Sequence, residues 1–373
     1  MKKIAILTLP FNNNYGGLLQ SYALQKYLAG RGHEVILISN VQSSLDKINL
    51  KFKIKNFIKI IIGKKAKDNE RMRKISKNML QFVNDNMSCT QPIYNEKDLF
   101  LLEKYNFDAY IVGSDQVWRF DYTGNDFGKY FFNFIKSDKV KRISFAASFG
   151  IDKWTKNEYD TKYLSSLIHK FQAISVREKS GVSLCNDNLG VTATHLLDPV
   201  FLLPINDYQK LIPKKEKTID SLNDNGLLVY MLDYDEDKKK AVELISQTIK
   251  QKPFRVGVKQ LNRGKFNQDM IYPSVSEWID GFLKAKYIIT DSFHGCVFAI
   301  LFNKPFIVYG NNSRGLTRFD SLLETFNLKS RFITNSLELR QEVITENICF
   351  DKTNEIISQY RKDANTFFEK VNM

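Results

Sequence analysis

Short apolar runs alternate with stretches of helical period along most of the chain. Lys3–Leu9 predicts a buried strand, and Gly17–Leu28 a helix with Leu18, Leu19, Tyr22, Ala23 and Leu28 on its apolar face. Gly30-Arg31-Gly32 ends that helix, because glycine tolerates the left-handed C-cap conformation. Glu34–Ser39 predicts the next strand. The first forty residues therefore read as a βαβ unit, the opening of a Rossmann-like sheet. Further strands are predicted at Phe107–Val112, Arg142–Ala147 and Ala173–Val176. Tyr159, Tyr163, Leu164, Leu167, Ile168 and Phe171 place a helix before the last of them.

A polar, Lys-rich stretch, Asn206–Asn225, interrupts this rhythm. Alternation resumes with strand Leu227–Leu232, helix Glu236–Lys250, strand Phe254–Val258, helix Val275–Lys284 and strand Tyr287–Thr290. An apolar helix from Gly295, strand Pro305–Tyr309 and helix Leu316–Phe326 follow. Ile356, Tyr360, Ala364, Phe367 and Val371 share one face of a C-terminal helix. The expected class is α/β, with one Rossmann-like domain over residues 1–205, a second over 226–345 and the terminal helix over 346–373. Two such domains face a cleft, and ligands sit beyond the carboxyl ends of the strands.

Composition narrows the class. The chain has 373 residues, 43% hydrophobic and 13% aromatic, which excludes a disordered or low-complexity protein. Cys89, Cys185, Cys296 and Cys349 lie far apart with no CxxC, which suits a reducing compartment. Met1-Lys2-Lys3 ahead of Ile4–Phe11 imitates a secretory signal. The run is short, contains Thr8 and Pro10, and meets Asn12-Asn13-Asn14 without a cleavage site, so a first strand is the better reading. The apolar run Cys296–Phe302 is seven residues long, against the roughly 20 that span a membrane. A cytoplasmic protein is expected, peripheral at the inner face of the membrane if its basic segment engages lipid.

That segment carries most of the charge. The chain holds 55 Lys+Arg against 41 Asp+Glu, a net +14, and eleven of those cations fall in residues 51–77 beside only Asp68 and Glu70. Such clustering weakens a general polyanion-binding reading. With no recognised nucleic-acid module, nucleic acid is not an expected partner. Leu50, Ile54, Phe57, Ile58 and Ile61 recur at helical spacing between the lysines. A basic amphipathic helix of this kind either lies on an anionic membrane or presents a solvated lysine face.

The candidate chemistry gathers at strand ends. Asn14-Tyr15-Gly16-Gly17 joins the first strand to its helix and reads either as a turn or as a close-approach site for an anion. Gly113-Ser114-Asp115-Gln116-Val117-Trp118 follows another strand and reads as an Asx turn over a core Trp118 or as cleft polar groups. Arg177 in Ser175-Val176-Arg177-Glu178 offers a donor fork matched to phosphate or carboxylate; the plain alternative is a surface pair with Glu178. Thr290-Asp291-Ser292-Phe293-His294-Gly295 is the most informative stretch: Asp291 and Ser292 can cap the next helix, and His294 stands where it can bind an anion or move a proton. Arg314 and Arg318 follow the strand Pro305–Tyr309. His33, His169 and His195 read as surface or structural. The chain lacks GxGxxG, Walker and GxSxG motifs and zinc spacing, and Asp233, Asp235 and Asp237 fail as a calcium loop because Lys238 and Leu244 occupy its sixth and twelfth positions.

Taken in order, these motifs resemble the polysaccharide pyruvyl transferase family. The resemblance spans about Ile4 to Arg331. It rests on Asn14–Gly17, GSDQVW at Gly113–Trp118, SFAASFG at Ser144–Gly150, SVRE at Ser175–Glu178, LDPVFLL at Leu197–Leu203, TDSFHG at Thr290–Gly295 and RGLTRFDSLL at Arg314–Leu323. It implies two Rossmann-like domains of the glycosyltransferase-B type. It also implies transfer of a pyruvyl group from phosphoenolpyruvate to sugar hydroxyls of a surface polysaccharide or its lipid-linked precursor, giving a ketal, with no cofactor or metal.

By that resemblance Arg177 and His294 grip the donor, with Ser292 and Gly295 beside them, and His294 is also the candidate acid. Asp115 or Glu178 is the candidate base. Asn14, Tyr15, Gly16, Gly17, Ser114, Asp115 and Gln116 lie on the acceptor side. Many members carry arginine where this chain has Ser292; Arg314, Arg318, Lys259 or Arg263 can stand in for it, or the donor differs. Two other readings stay open: a nucleotide-sugar glycosyltransferase on the same frame, and a non-catalytic glycan- or membrane-binding component.

Overall fold

The computed structural model describes residues 1–11, 13–40, 71–213, 226–257, 266–310 and 315–373. Most of the Lys-rich segment (51–70), Lys259, Arg263 and Arg314 lie outside the described residues. The first sheet contains β1 (Lys3–Leu7), β2 (Glu34–Leu37), β3 (Ala109–Val112), β4 (Lys141–Ala147), β5 (Ala173–Val176) and β6 (Thr194–His195). Its spatial order is β2-β1-β3-β4-β5-β6, and every pairing is parallel. The second contains β7 (Leu227–Tyr230), β8 (Pro253–Phe254), β9 (Tyr287–Thr290), β10 (Phe306–Tyr309) and β11 (Phe332–Ile333), parallel in the order β11-β10-β9-β7-β8. Parallel strands covered by helices on both faces need continuous apolar runs. AYIV in β3 and YIIT in β9 supply them, buried at every position.

The connecting helices are α1 (Tyr15–Gly30), α2 (Glu158–Ile168), α3 (Lys179–Leu189), α4 (Glu236–Ile249), α5 (Val275–Lys284), α6 (Phe293–Leu301) and α7 (Thr317–Thr325); α8 (Phe350–Glu369) closes the chain. α1 is buried on nearly all sides, as a helix wedged between layers must be. Tyr15, at its start, stacks on Trp278 of α5, ring centroids 5.3 Å apart, and its hydroxyl donates to Pro273 O at 2.7 Å. α8 returns to the first sheet, where Phe368 stacks on Phe145 of β4 at 4.8 Å and Tyr360 donates to Leu197 O at 2.7 Å. Burying a phenylalanine such as Phe368 contributes about 1.5–3 kcal/mol. One apolar cluster, including Leu18, Phe201, Trp278, Phe298 and Phe367, joins the two sheets.

The strand order matters for function. It reverses between β1 and β3 in the first sheet and between β9 and β7 in the second. At such switch points the loops leaving the strand ends part and open a crevice for ligands. The loops after β1, β3 and β9 are those carrying Asn14–Gly17, Ser114–Gln116 and Ser292–Gly295. Among the described residues, no helix is long and apolar enough to cross a membrane.

Candidate active site

α1 begins at Tyr15, and Asn14 caps it by accepting from Gly17 N at 3.1 Å. Close approach requires the first glycine and crowds the second. A Cβ on Gly16 would stand 2.0 Å from His294 Cγ, and one on Gly17 would stand 2.9 Å from Asn14 Nδ2 and 3.1 Å from Asp115 Oδ2. The imidazole of the second sheet's histidine therefore lies directly on the first turn of the first sheet's helix.

β3 delivers Ser114 and Asp115. Asp115 adopts φ +81°, a left-handed conformation that aspartate tolerates better than most side chains. This turn lets its carbonyl accept from Val117 N (2.8 Å) and Ser148 N (3.1 Å). The next residue, Gln116, accepts from Arg119 Nη1 at 2.8 Å, and Trp118 is fully buried, donating from Nε1 to Tyr130 O. The motif thus forms a tight turn closed by backbone bonds, not an Asx turn, over a core tryptophan, and it brings Ser114 and Asp115 to the cluster described below.

Arg177 leaves β5. It is 3% exposed, so the surface-pair alternative fails. Its Nη1 donates to Asp198 Oδ2 at 2.7 Å and to Ser114 Oγ at 3.1 Å, while Nε is 3.6 Å from Glu178 Oε1. Burial disfavours the charged guanidinium, but Asp198, Glu178 and Asp115 outweigh it and raise the pKa. Below it, His195 Nε2 sits 3.1 Å from Arg177 O, and burial lowers the pKa of that imidazole, in keeping with a structural role.

Asp198 is the centre of the cluster. Oδ2 accepts from Arg177 and from Ser114 Oγ (3.1 Å) and lies 3.4 Å from His294 Nε2; Oδ1 accepts from Val200 N at 3.0 Å. Burial opposes its ionisation, but His294, Arg177 and the Val200 N–H outweigh that and hold the carboxyl well below the usual carboxylate range. Sequence reasoning did not assign this residue. The available signal was an acid inside the apolar run Leu196–Leu203, since a buried acid is rarely left unpaired.

On the second sheet, Ser292 Oγ caps α6 by accepting from Gly295 N at 3.3 Å. Asp291 does not share that role, contrary to the sequence expectation. Its carboxylate accepts from Leu232 N (2.6 Å), Asp233 N (3.1 Å) and Lys238 Nζ (2.7 Å), tying the ends of β7 and β9 together. Gly295 makes room for Thr290, whose Oγ1 would lie 2.2 Å from an added Cβ. Phe293 carries two cations: Arg177 Cζ is 4.3 Å and Arg318 Cζ 5.2 Å from its ring centroid. Burial and the proximity of Arg177 push the Arg318 pKa down to about 10, with Glu178, Asp115 and Tyr122 opposing.

The structure thus brings Gly16, Gly17, Ser114, Asp115, Arg177, His294 and Arg318 to one place, together with Asp198, Glu178 and Phe293. Tyr15 and Gln116 are engaged elsewhere, in the interface between the sheets and on Arg119. Arg177 Nε and Nη2, Glu178 Oε2 and His294 Nε2 are buried without a hydrogen-bond partner among the described residues. Each such group costs about 1–3 kcal/mol if left unpaired, so their gathering in one place makes it the candidate site for a polar ligand. The Nε–Nη2 edge of Arg177 has the shape that suits a carboxylate or phosphate, with Glu178 Oε1 3.6 Å from Nε and a buried imidazole close by.

Solved structures share the fold. A glycosyltransferase from Rickettsia africae ESF-5 aligns with a TM-score of 0.56 at 12% identity, covering 100% of this chain and 99% of its own. A putative UDP-N-acetylglucosamine 2-epimerase from Listeria monocytogenes gives 0.53 at 12%, covering 99% and 98%. The UDP-GlcNAc 2-epimerase from Neisseria meningitidis, bound to UDP-GlcNAc, gives 0.51 at 13%, covering 98% and 94%. These likenesses support the glycosyltransferase-B-like arrangement of two Rossmann-like units. No curated protein matches the chain. The family model described as polysaccharide pyruvyl transferase matches residues 14–313, from the helix cap at Asn14 through β10 and beyond, and the chain belongs to that family.

Proposed function

We propose that the protein transfers a pyruvyl group from phosphoenolpyruvate to two hydroxyls of a glycan, forming a ketal. The observation that carries this reading is the buried Arg177 fork beside His294, the two residues from different sheets meeting at Asp198 Oδ2. Phosphoenolpyruvate presents a carboxylate and a phosphate, and a guanidinium edge matches either.

The reaction balances without a co-reactant. Two acceptor oxygens bond to the enol carbon, its double bond to the methylene is lost, and the bond to the phosphate oxygen breaks. Each acceptor hydroxyl gives up one proton. One ends on the methylene, which becomes methyl, and the other on the departing phosphate. In this reading His294 delivers a proton to the departing phosphate, and Asp198, 3.4 Å from its Nε2, holds the ring in position. Asp115 and His294 flank the successive glycines at the start of α1, and Asp115 takes a hydroxyl proton from an acceptor lying over that turn.

Incubation with phosphoenolpyruvate and a panel of glycan acceptors tests the reading. It should release phosphate and raise the acceptor mass by one pyruvate less one water. No release across the panel, with no phosphoenolpyruvate binding by calorimetry, would count decisively against it. The second reading, transfer from a nucleotide sugar, is favoured by the fold shared with the UDP-GlcNAc-bound Neisseria epimerase. Thermal-shift titration with nucleotide sugars against phosphoenolpyruvate separates the two. A lipid-linked acceptor would place the work at a membrane, where the basic segment 51–77 is the contact. Vesicle flotation with anionic lipid, wild type against Lys→Glu variants in that segment, tests this: equal flotation would remove it.

A further inference from the structure

We propose that Arg318 is the second anion-binding residue of this site, forming with Arg177 a two-guanidinium clamp on the phosphate of the donor. The inference rests on the pyruvyl-transfer reading and names a residue within it. Both guanidiniums lie within cation–π reach of one phenyl ring, Phe293, at 4.3 and 5.2 Å, and both residues are nearly buried, 3% and 6% exposed. They arrive from different directions: Arg177 from the end of β5, Arg318 from the first turn of α7.

α7 is pinned on either side of Arg318. Thr317 Oγ1 donates to Gly150 O at 3.3 Å, and Ser321 Oγ accepts from Lys179 N at 3.0 Å. Gly150 lies in the loop that follows β4 and Lys179 opens α3 just after β5, so these bonds hold the second sheet's helix against the first sheet's strand ends. Arg318 sits between the two anchors, and its position is fixed by packing on both sides.

Two like charges brought this close repel, and burial adds to the cost. Glu178 and Asp115 offset part of it, and the lowered Arg318 pKa records the remainder. A dianion bound across both cations turns that repulsion into attraction, because a phosphate monoester has oxygens enough to bond each guanidinium.

The test compares wild type with Arg318→Gln, Arg318→Lys and Arg318→Gln/Ser292→Arg, reading phosphoenolpyruvate affinity by calorimetry and donor and acceptor KM by phosphate release. Position 292 adjoins Phe293, the ring on which both guanidiniums pack, so the double variant asks whether a cation restored there can replace the lost one. Arg318→Gln should weaken phosphoenolpyruvate about 10–100-fold, as loss of a charge-assisted contact does. Acceptor KM should stay unchanged, and the double variant should recover part of the donor affinity. Arg318→Lys keeps the charge, loses the fork and should show an intermediate loss; it also decides the matter if Arg318→Gln does not fold. Unchanged donor affinity in Arg318→Lys and Arg318→Gln, with wild type binding phosphoenolpyruvate, overturns this inference alone. A wild type that binds no phosphoenolpyruvate overturns the pyruvyl-transfer reading and this inference with it.

Discussion

His294 Nε2 lies 3.4 Å from Asp198 Oδ2, and the two residues come from different sheets. Asp198 follows β6 of the first sheet, and His294 opens α6 beyond β9 of the second. The same carboxylate oxygen accepts from Arg177 at 2.7 Å. One buried acid therefore aligns Arg177 and His294 across the two sheets.

Removing that acid should be costly. Asp198→Ala leaves the Arg177 charge buried without its closest partner, and breaking a buried pair this way typically costs about 3–5 kcal/mol. Asp198→Asn keeps the volume and part of the hydrogen bonding and should cost less. Urea denaturation of the three proteins checks the order. A wild-type midpoint in Asp198→Ala would show that the cluster contributes nothing to the fold.

The same residue sets an acid limit. Its carboxyl is held below the usual range in the folded protein, while the unfolded value is about 4. The folded state therefore gains stability from Asp198 above the unfolded value and loses it as pH falls through the lower folded value. Unfolding free energy should drop more steeply for wild type than for Asp198→Asn as pH is lowered from about 5 toward 3. Other carboxylates contribute equally to both proteins, so parallel curves would contradict the depressed ionisation of Asp198.

Tyr15 gives a sharper separation of roles. Its ring stacks on Trp278 and its hydroxyl donates to Pro273 O at 2.7 Å, so the residue pins α1 to the second sheet. Tyr15→Phe should lower stability by about 1 kcal/mol, the value of one hydrogen bond, and leave acceptor KM unchanged. A raised acceptor KM at unchanged stability would return Tyr15 to the acceptor site.

Much of this arrangement is legible in the sequence, for reasons that differ between residues. Ala173–Val176 and Tyr287–Thr290 are read to the residue, because short buried parallel strands are bounded by abrupt changes in polarity. β6 and β11 escape, since two residues at a sheet edge carry no period. Leu227–Leu232 reads two residues too long: the strand ends at Tyr230, and Leu232 N, with Asp233 N beyond it, donates to the Asp291 carboxylate. Arg177 and His294 are legible because each stands just beyond the end of an apolar strand. Asp198 is not, because its role depends on partners 21 and 84 residues before it and on His294 after it, a convergence that only the strand order creates.

Gly16 offers the cleanest test of that convergence. A Cβ there would stand 2.0 Å from His294 Cγ and 2.1 Å from Nδ1, distances no real side chain tolerates, so the imidazole must move. It cannot move freely, because its other side faces Asp198 and Phe293 packs beside it at 5.3 Å. Gly16→Ala should therefore cost about 1–3 kcal/mol, as overpacking does, even though alanine is the better helix former. Displacing the imidazole by about 1 Å should lower kcat on the order of 100-fold. Gly30→Ala is the internal control. It lies in the same helix, nothing stands within 4 Å of its added Cβ, and it should raise stability by about 0.5–1 kcal/mol with kcat unchanged. Thermal melting and phosphate-release kinetics on the two variants check both halves. If Gly16→Ala behaved like Gly30→Ala, the imidazole could not be resting on the first turn of α1.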